Sequence, residues 1–105
     1  MSAVVTIAYE RWACVTAGEY DRRAHRVVVN EAVVDAVVRE TGRDAAIVRA
    51  AIVAHERAHA FARGATLEED EARARAAAVE AAGAAVVDAI DRVLREHRDA
   101  DRSGC

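Results

Sequence analysis

The chain contains no proline, only five glycines and only two cysteines among its 105 residues. The scarcity of proline and glycine excludes a Pro/Gly-rich linker, and we find neither a low-complexity segment nor a repeat. Two cysteines, Cys14 and Cys105, are too few for a disulfide framework, so we expect a reduced pair. Residues 1–105 should therefore form a single domain with one modest core.

The chain also lacks a basic stripe and a long apolar run. Its net charge of −3 and its pI near 5.8 argue against an electrostatic nucleic-acid binder. The apolar residues 3–8 have no basic segment before them, so we do not expect a signal peptide. The uncharged run 81–87 is far shorter than a membrane span. We therefore expect a soluble cytoplasmic protein that binds neither nucleic acid nor membrane.

The first third of the chain has the composition of a small sheet. Residues 3–9 and 11–16 are rich in β-branched and aromatic side chains, which predicts two strands. Residues 17–23 have the composition of a turn. Residues 25–30 form a third predicted strand, whose successive valines indicate burial on both faces. We expect an antiparallel or mixed sheet of about three strands.

From Glu31 onward, the apolar residues recur with a helical period. The spacing predicts a first helix over 31–41, ended by Gly42, and a second over 45–63, capped by Asp44. Thr66 and Glu69 have the form of a capping box that opens a third helix extending to about residue 98. The expected fold class is α+β, with three strands followed by three helices.

The second predicted helix carries the motif H-E-x-x-H, from His55 to His59. Four-residue spacing places both imidazoles on one helix face, in line with its apolar stripe, where they can bind one Zn²⁺ ion. Glu56 lies about 100° further around the helix, beside that site. A carboxylate in this position can act as general base toward a water molecule activated by zinc.

Chance is the alternative explanation of this motif. With four histidines and ten glutamates in the chain, the pattern arises in roughly one or two random chains in a hundred. However, burying two imidazoles in an apolar stripe leaves four ring nitrogens in need of partners. A metal ion satisfies two of them, and we therefore favour the zinc site.

Residues 25–38 and 47–62, which include the motif, resemble the core of a zincin metallopeptidase. Residues 20–30 are similar to the strand that precedes the active-site helix in ImmA/IrrE-like and SprT-like proteins. The resemblance implies a central HExxH helix, a cleft bordered by an edge strand, and a peptide or protein substrate. It covers about residues 20–80.

The gluzincin pattern E-x-E-A-D/N-x-x-A-A resembles residues 69–77, and this resemblance implies Glu69 as the third metal ligand. Arg73 departs from the pattern, since it stands where the family has Asp or Asn. SprT-like proteins use a third histidine instead, but His97 lies far along the last predicted helix.

Other arguments from the residues indicate different carboxylates as third ligand. A tight turn at 64–66 would place His59 level with Glu71 in an antiparallel helix pair. The apolar stripe of the third helix is instead centred closest to Glu68. We rank Glu69 first. An acidic first turn that complements the helix dipole would explain all three residues without a metal.

Three functions are compatible with these features. The first is a zinc metallopeptidase that uses Glu56 as general base, and the second is a catalytically weak or inactive zinc-binding regulatory or interaction module. The third is a metal-free α+β interaction protein. The apolar face of residues 84–94 could form a homodimer seam or pack within the monomer.

Overall fold

The computed structural model describes residues 5–61 and 66–103, with side chains described as far as residue 99. Within these ranges the chain forms three strands and then four helices, which confirms the α+β class. The strands are β1 (Thr6–Glu10), β2 (Gly18–Asp21) and β3 (Arg26–Asn30). The helices are α1 (Glu31–Thr41), α2 (Ala45–Phe61), α3 (Leu67–Ala82) and α4 (Ala84–Ser103).

The sheet is mixed and has the order β1-β3-β2. Strand β3 runs parallel to β1, with Ile7 opposite Val27, and antiparallel to β2, with Gly18 opposite Val29. Because β3 is the central strand, its three valines, residues 27–29, are all buried. This burial on both faces confirms what the run of valines predicted.

The predicted strand over residues 11–16 is wrong, because the segment between β1 and β2 forms a loop. The reason is that backbone groups of this segment form hydrogen bonds with the side chain of Asn30 rather than with a neighbouring strand. Its Oδ1 accepts from the backbone N–H of Trp12 at 3.2 Å. Its Nδ2 donates to the carbonyls of Ala13 and Thr16 at 3.1 and 2.9 Å.

Strand β2 lies within the segment that was predicted to be a turn. The true turn between β2 and β3 comes later, at residues 22–25. Asp21 shapes it by accepting from the backbone N–H groups of Arg23 and Ala24, and His25 adopts a left-handed φ of 52°. The polar residues of β2 form a strand because the backbone of β3 provides their hydrogen-bond partners. Local composition does not reveal this long-range contact.

The C-terminal cap of α1 and the N-terminal cap of α2 agree with the sequence prediction, whereas the N-cap of α1 was not predicted. Asn30 caps α1, and Gly42 ends it in the left-handed conformation at φ 71°. Asp44 accepts from the backbone N–H of Ala46 at the start of α2. The predicted end of this helix at residues 62–63 lies outside the described residues.

The prediction of one long third helix is wrong, because Gly83 divides it into α3 and α4. Thr66 caps α3, as predicted. Gly83 ends it with a φ of 93°, a conformation that non-glycine residues rarely adopt. Arg75 of α3 then pairs with Asp88 and Asp91 of α4, so the two helices lie side by side.

Helix α2 packs against β2, β3 and the three other helices. The core consists of residues from β3 and all four helices: Val27, Val29, Val33, Val34, Ala36, Val37, Val48, Ala51, Ile52, Ala78, Val86, Val87, Ala89, Ile90 and Val93. The apolar face of α4 is thus covered within the monomer, so its burial does not require a second copy.

The sequence also predicted that no segment is long enough to span a membrane and that the two cysteines are reduced. Among the described residues, no helix combines the length and apolar character that a membrane span requires. Cys14 is a free thiol whose pKa is raised by burial, with the charge of Arg39 opposing the shift. Cys105 lies outside the described residues.

Replacing Asn30 by alanine should lower the free energy of unfolding by about 2–4 kcal/mol, because buried backbone groups lose their partners. Urea denaturation measures this change. Thr16→Val is the control: it removes only the exposed bond from Trp12 Nε1 to Thr16 Oγ1, for which we expect less than about 1 kcal/mol. Equal effects of the two substitutions would contradict the role of Asn30.

Candidate metal centre

His55 and His59 lie one turn apart on α2, with ring centroids 4.8 Å apart and ring planes at 78°. They continue the stripe that Val48 and Ile52 begin in the core. The imidazoles themselves are half-buried, with 31% and 26% of their side-chain surface exposed. Helical spacing therefore brings both rings together at the edge of the core rather than deep inside it.

Glu71, at the start of α3, supplies a carboxylate to both histidines. Its Oε1 lies 3.0 Å from His59 Nε2, and its Oε2 lies 3.5 Å from His55 Nε2. One ligand atom from each of the three residues lies within 4.8 Å of the others. Tetrahedral zinc, with bonds near 2.0–2.1 Å, separates its ligand atoms by about 3.3 Å. The donor set is one that a metal ion such as zinc accepts, and the widest separation would have to shorten by up to about 1.5 Å.

Glu71 is the carboxylate that the predicted tight turn at 64–66 indicated as third ligand, whereas the gluzincin pattern favoured Glu69. Glu69 and Glu68 are not members of the three-residue group found among the described residues. The backbone N–H of Glu69 instead donates to Thr66 Oγ1 at 3.1 Å, as part of the helix cap. The packing of α3 along α2 thus places Glu71, the second residue after Glu69, beside the histidines.

Glu56 lies beside the three-residue group, and its carboxylate contacts His55. Its Oε2 is 2.9 Å from His55 Nδ1, and only 12% of the Glu56 side chain is exposed. In the neutral imidazole, this bond places the proton on Nδ1 and leaves the Nε2 lone pair free for a metal.

The hydrogen bond to Glu56 raises the pKa of His55. Burial opposes the shift, while the negative charges of Glu56 and Glu71 add to it. Protonation of His55 would therefore compete with metal binding at this site.

His55, Glu56 and Glu71 line one cavity of about 490 Å³. Residues 16–18 of the loop and β2 form another part of its wall. Strand β2 is an edge strand of the sheet as described. An edge strand therefore borders this cavity.

Gly18 is a positioning residue that the sequence analysis missed. A Cβ atom there would lie 2.8 Å from Ile52 Cγ2 and 3.2 Å from Glu56 Cγ. Glycine thus lets β2 approach α2 closely enough to support Glu56. The sequence signal was a single glycine within a segment that already had the composition of a turn.

No protein-family model matches the chain, and comparisons with curated proteins and with solved structures found no match. The interpretation of the site therefore rests on the motif and on the geometry around it.

We expect the purified protein to hold about one zinc ion per chain. Glu71→Gln should weaken zinc affinity at least about 10-fold, since even indirect partners of a metal site contribute 10–100-fold. Glu68→Gln and Glu69→Gln are matched controls, because they make the same chemical change in the same helix. Elemental analysis and competition with a chromophoric chelator give stoichiometry and affinity.

The double variant His55→Ala/His59→Ala provides the second control for zinc binding. Equal zinc content in this variant and the unaltered protein would exclude the site. A loss of zinc affinity in Glu69→Gln but not in Glu71→Gln would instead support Glu69 as the third ligand, as the gluzincin pattern implied.

Gly18→Ala should lower the free energy of unfolding by about 1–3 kcal/mol, as overpacking does elsewhere. The cost should be smaller in an Ile52→Ala background, because the atom nearest the added methyl group is then absent. Chemical denaturation of the four proteins in this cycle measures both values. The same cost in both backgrounds would show that the contact with Ile52 is not the cause.

Proposed function

We propose that this protein is a zinc-dependent metallopeptidase in which His55, His59 and Glu71 hold the metal ion. The observation that supports it best is the convergence of two imidazole Nε2 atoms on one carboxylate, at 3.0 and 3.5 Å. Two of these three residues also line a cavity large enough for part of a peptide. When bound, zinc would polarise the peptide carbonyl and acidify a water molecule to a pKa near 7.

Glu56 acts as the general base in this proposal. Its carboxylate is mostly buried and lies in the wall of the same cavity, so it can reach a water molecule there. Oε2 accepts from His55 Nδ1 and thereby orients that ligand. The other carboxylate oxygen, Oε1, would take the proton from the attacking water and later pass it to the leaving amine.

A zinc-binding regulatory or interaction module with little or no activity is the second candidate function. It is favoured by the same 2.9 Å contact between Glu56 and His55. A carboxylate that serves only to orient a metal-binding histidine is a common feature of zinc sites, whether or not they are catalytic.

Glu56→Gln separates the two candidates. Glutamine keeps an oxygen that can accept from His55 Nδ1, but it is no longer a base. We expect hydrolysis of an unstructured protein such as casein to fall by about 10²–10⁴-fold, the usual contribution of a general base. Zinc content, measured on the same preparations, should stay near that of the unaltered protein.

Glu19→Gln on β2 is the control for this experiment, because it makes the same change at an exposed position. Unchanged cleavage in Glu56→Gln would assign the base to another group. Lost zinc would show that Glu56 mainly supports the metal ligands. Full zinc occupancy without any cleavage by the unaltered protein would favour the regulatory or interaction module.

A further inference from the structure

Strand β1 forms one edge of the sheet, and its outer side has no partner in the part of the chain that the structure describes. Successive residues of a strand direct their N–H and C=O groups to alternate sides. Thr6 faces β3, because its N–H donates to the carbonyl of His25 at 3.3 Å. Ile7 and Tyr9 therefore direct their N–H and C=O groups away from β3. These four main-chain groups form an open edge to which another strand can pair.

The side chains of Ile7 and Tyr9 are also incompletely covered, with 40% and 53% of their surface exposed. They lie on the sheet face that α2 covers, since the guanidinium of Arg49 lies 5.8 Å from the centre of the Tyr9 ring. Lysine, proline or a bulge commonly protects an edge strand from pairing. Strand β1 contains neither residue, and its register with β3 is uninterrupted. It thus combines unpaired main-chain groups with exposed apolar side chains.

The sequence of β1 is complementary to itself. In an antiparallel pair centred on Ala8, Ile7 of each strand lies opposite Tyr9 of the other. Opposite residues whose main chains face each other exchange two hydrogen bonds, so the two Ile7–Tyr9 pairs would form four. Pairs of an aromatic and a β-branched side chain also stabilise a sheet. Glu10 lies opposite Thr6, which keeps the two Glu10 carboxylates at opposite ends of the pair.

The other edge strand, β2, is less suited to pairing with itself. Two of its four residues, Glu19 and Asp21, are acidic. Two copies of β2 would therefore bring four carboxylates together along a short edge, and like charges on neighbouring strands repel each other. Charge thus favours β1 over β2 as the edge that pairs.

We propose that β1 pairs antiparallel with β1 of a second copy of the chain, which joins the two three-stranded sheets into one sheet of six strands. The two-fold axis of such a pair is perpendicular to the sheet, so both α2 helices lie on the same face. Ile7 and Tyr9 of both copies then lie between these helices. Because the same surface is used by both copies, association should stop at the dimer. The pairing requires neither zinc nor peptidase activity.

Sedimentation velocity from about 5 to 500 μM protein tests the pairing, since a short interface gives weak association. We expect the mass to rise from 11.3 kDa toward twice this value. A reducing agent excludes a disulfide, and the result should be the same with zinc and with EDTA. A monomer at every concentration would leave the edge to a strand of another protein and overturn the proposal. Assembly beyond the dimer would also overturn it.

Charged substitutions test the register. Ile7→Lys and Tyr9→Glu should each weaken self-association at least about 10-fold, because each places a charge opposite an apolar side chain in the interface. An equimolar mixture of the two variants should form a heterodimer, since the register then places the ammonium group opposite the carboxylate. Failure of the mixture to associate more tightly than either variant alone would overturn the register centred on Ala8.

Ile47→Lys is the matched control for these variants. Ile47 is also 40% exposed, but it lies on α2 rather than on β1. This variant should dimerise like the unaltered protein. A dimer that is weakened by Ile47→Lys and not by Ile7→Lys would overturn the proposal, because association would then use a different surface.

Ile7→Pro tests the main-chain hydrogen bonds of the interface. It removes an N–H that faces away from β3, so the bonds between β1 and β3 remain. Ile7→Ala shortens the side chain but keeps this N–H. We expect the same far-UV circular dichroism from both variants, and weaker self-association in Ile7→Pro than in Ile7→Ala. A dimer of Ile7→Pro as stable as that of Ile7→Ala would overturn pairing through the main chain.

Discussion

The buried side chain of Asn30 joins the sheet, the loop between β1 and β2, and the first helix. Its amide accepts from the backbone of Trp12 and Ala32 and donates to the backbone of Ala13 and Thr16. Because each partner is a main-chain group, one side chain determines the path of the loop and the start of α1 together. The last residues of that path enter the wall of the cavity, so the candidate site depends on an amide outside it.

Close packing around α2 turns this arrangement into a site. Gly18 lets β2 approach the helix, and Ile52 and Glu56 occupy the space that a larger residue would need. On the other side, α3 brings Glu71 to both histidines. The HExxH helix therefore lies between an edge strand and an acidic helix start, and each neighbour contributes to a different part of the proposed chemistry.

Glu56 illustrates how one residue can serve two proposed roles at such a site. Its bond to His55 selects the imidazole tautomer that leaves Nε2 free for a metal, and it raises the pKa of the same ring. Its remaining oxygen is the proposed base. The metal-holding and proton-accepting roles thus share one carboxylate, which is why a substitution that preserves shape but not basicity is informative.

The sequence alone was sufficient for features that depend on near neighbours in the chain. Helical period and caps predicted α1, the start of α2 and the start of α3, and four-residue spacing placed His55 and His59 on one face. Tertiary structure decided the rest, because it depends on contacts between distant residues. Hydrogen bonds to the side chain of Asn30 prevented a strand at 11–16, and pairing with β3 made Gly18–Asp21 a strand. The break at Gly83 allows α4 to pack against α1 and α3. The presence of Glu71 rather than Glu69 in the group around the histidines was likewise decided by the register between α2 and α3. A tight turn at 64–66 indicated this register, but the gluzincin pattern did not.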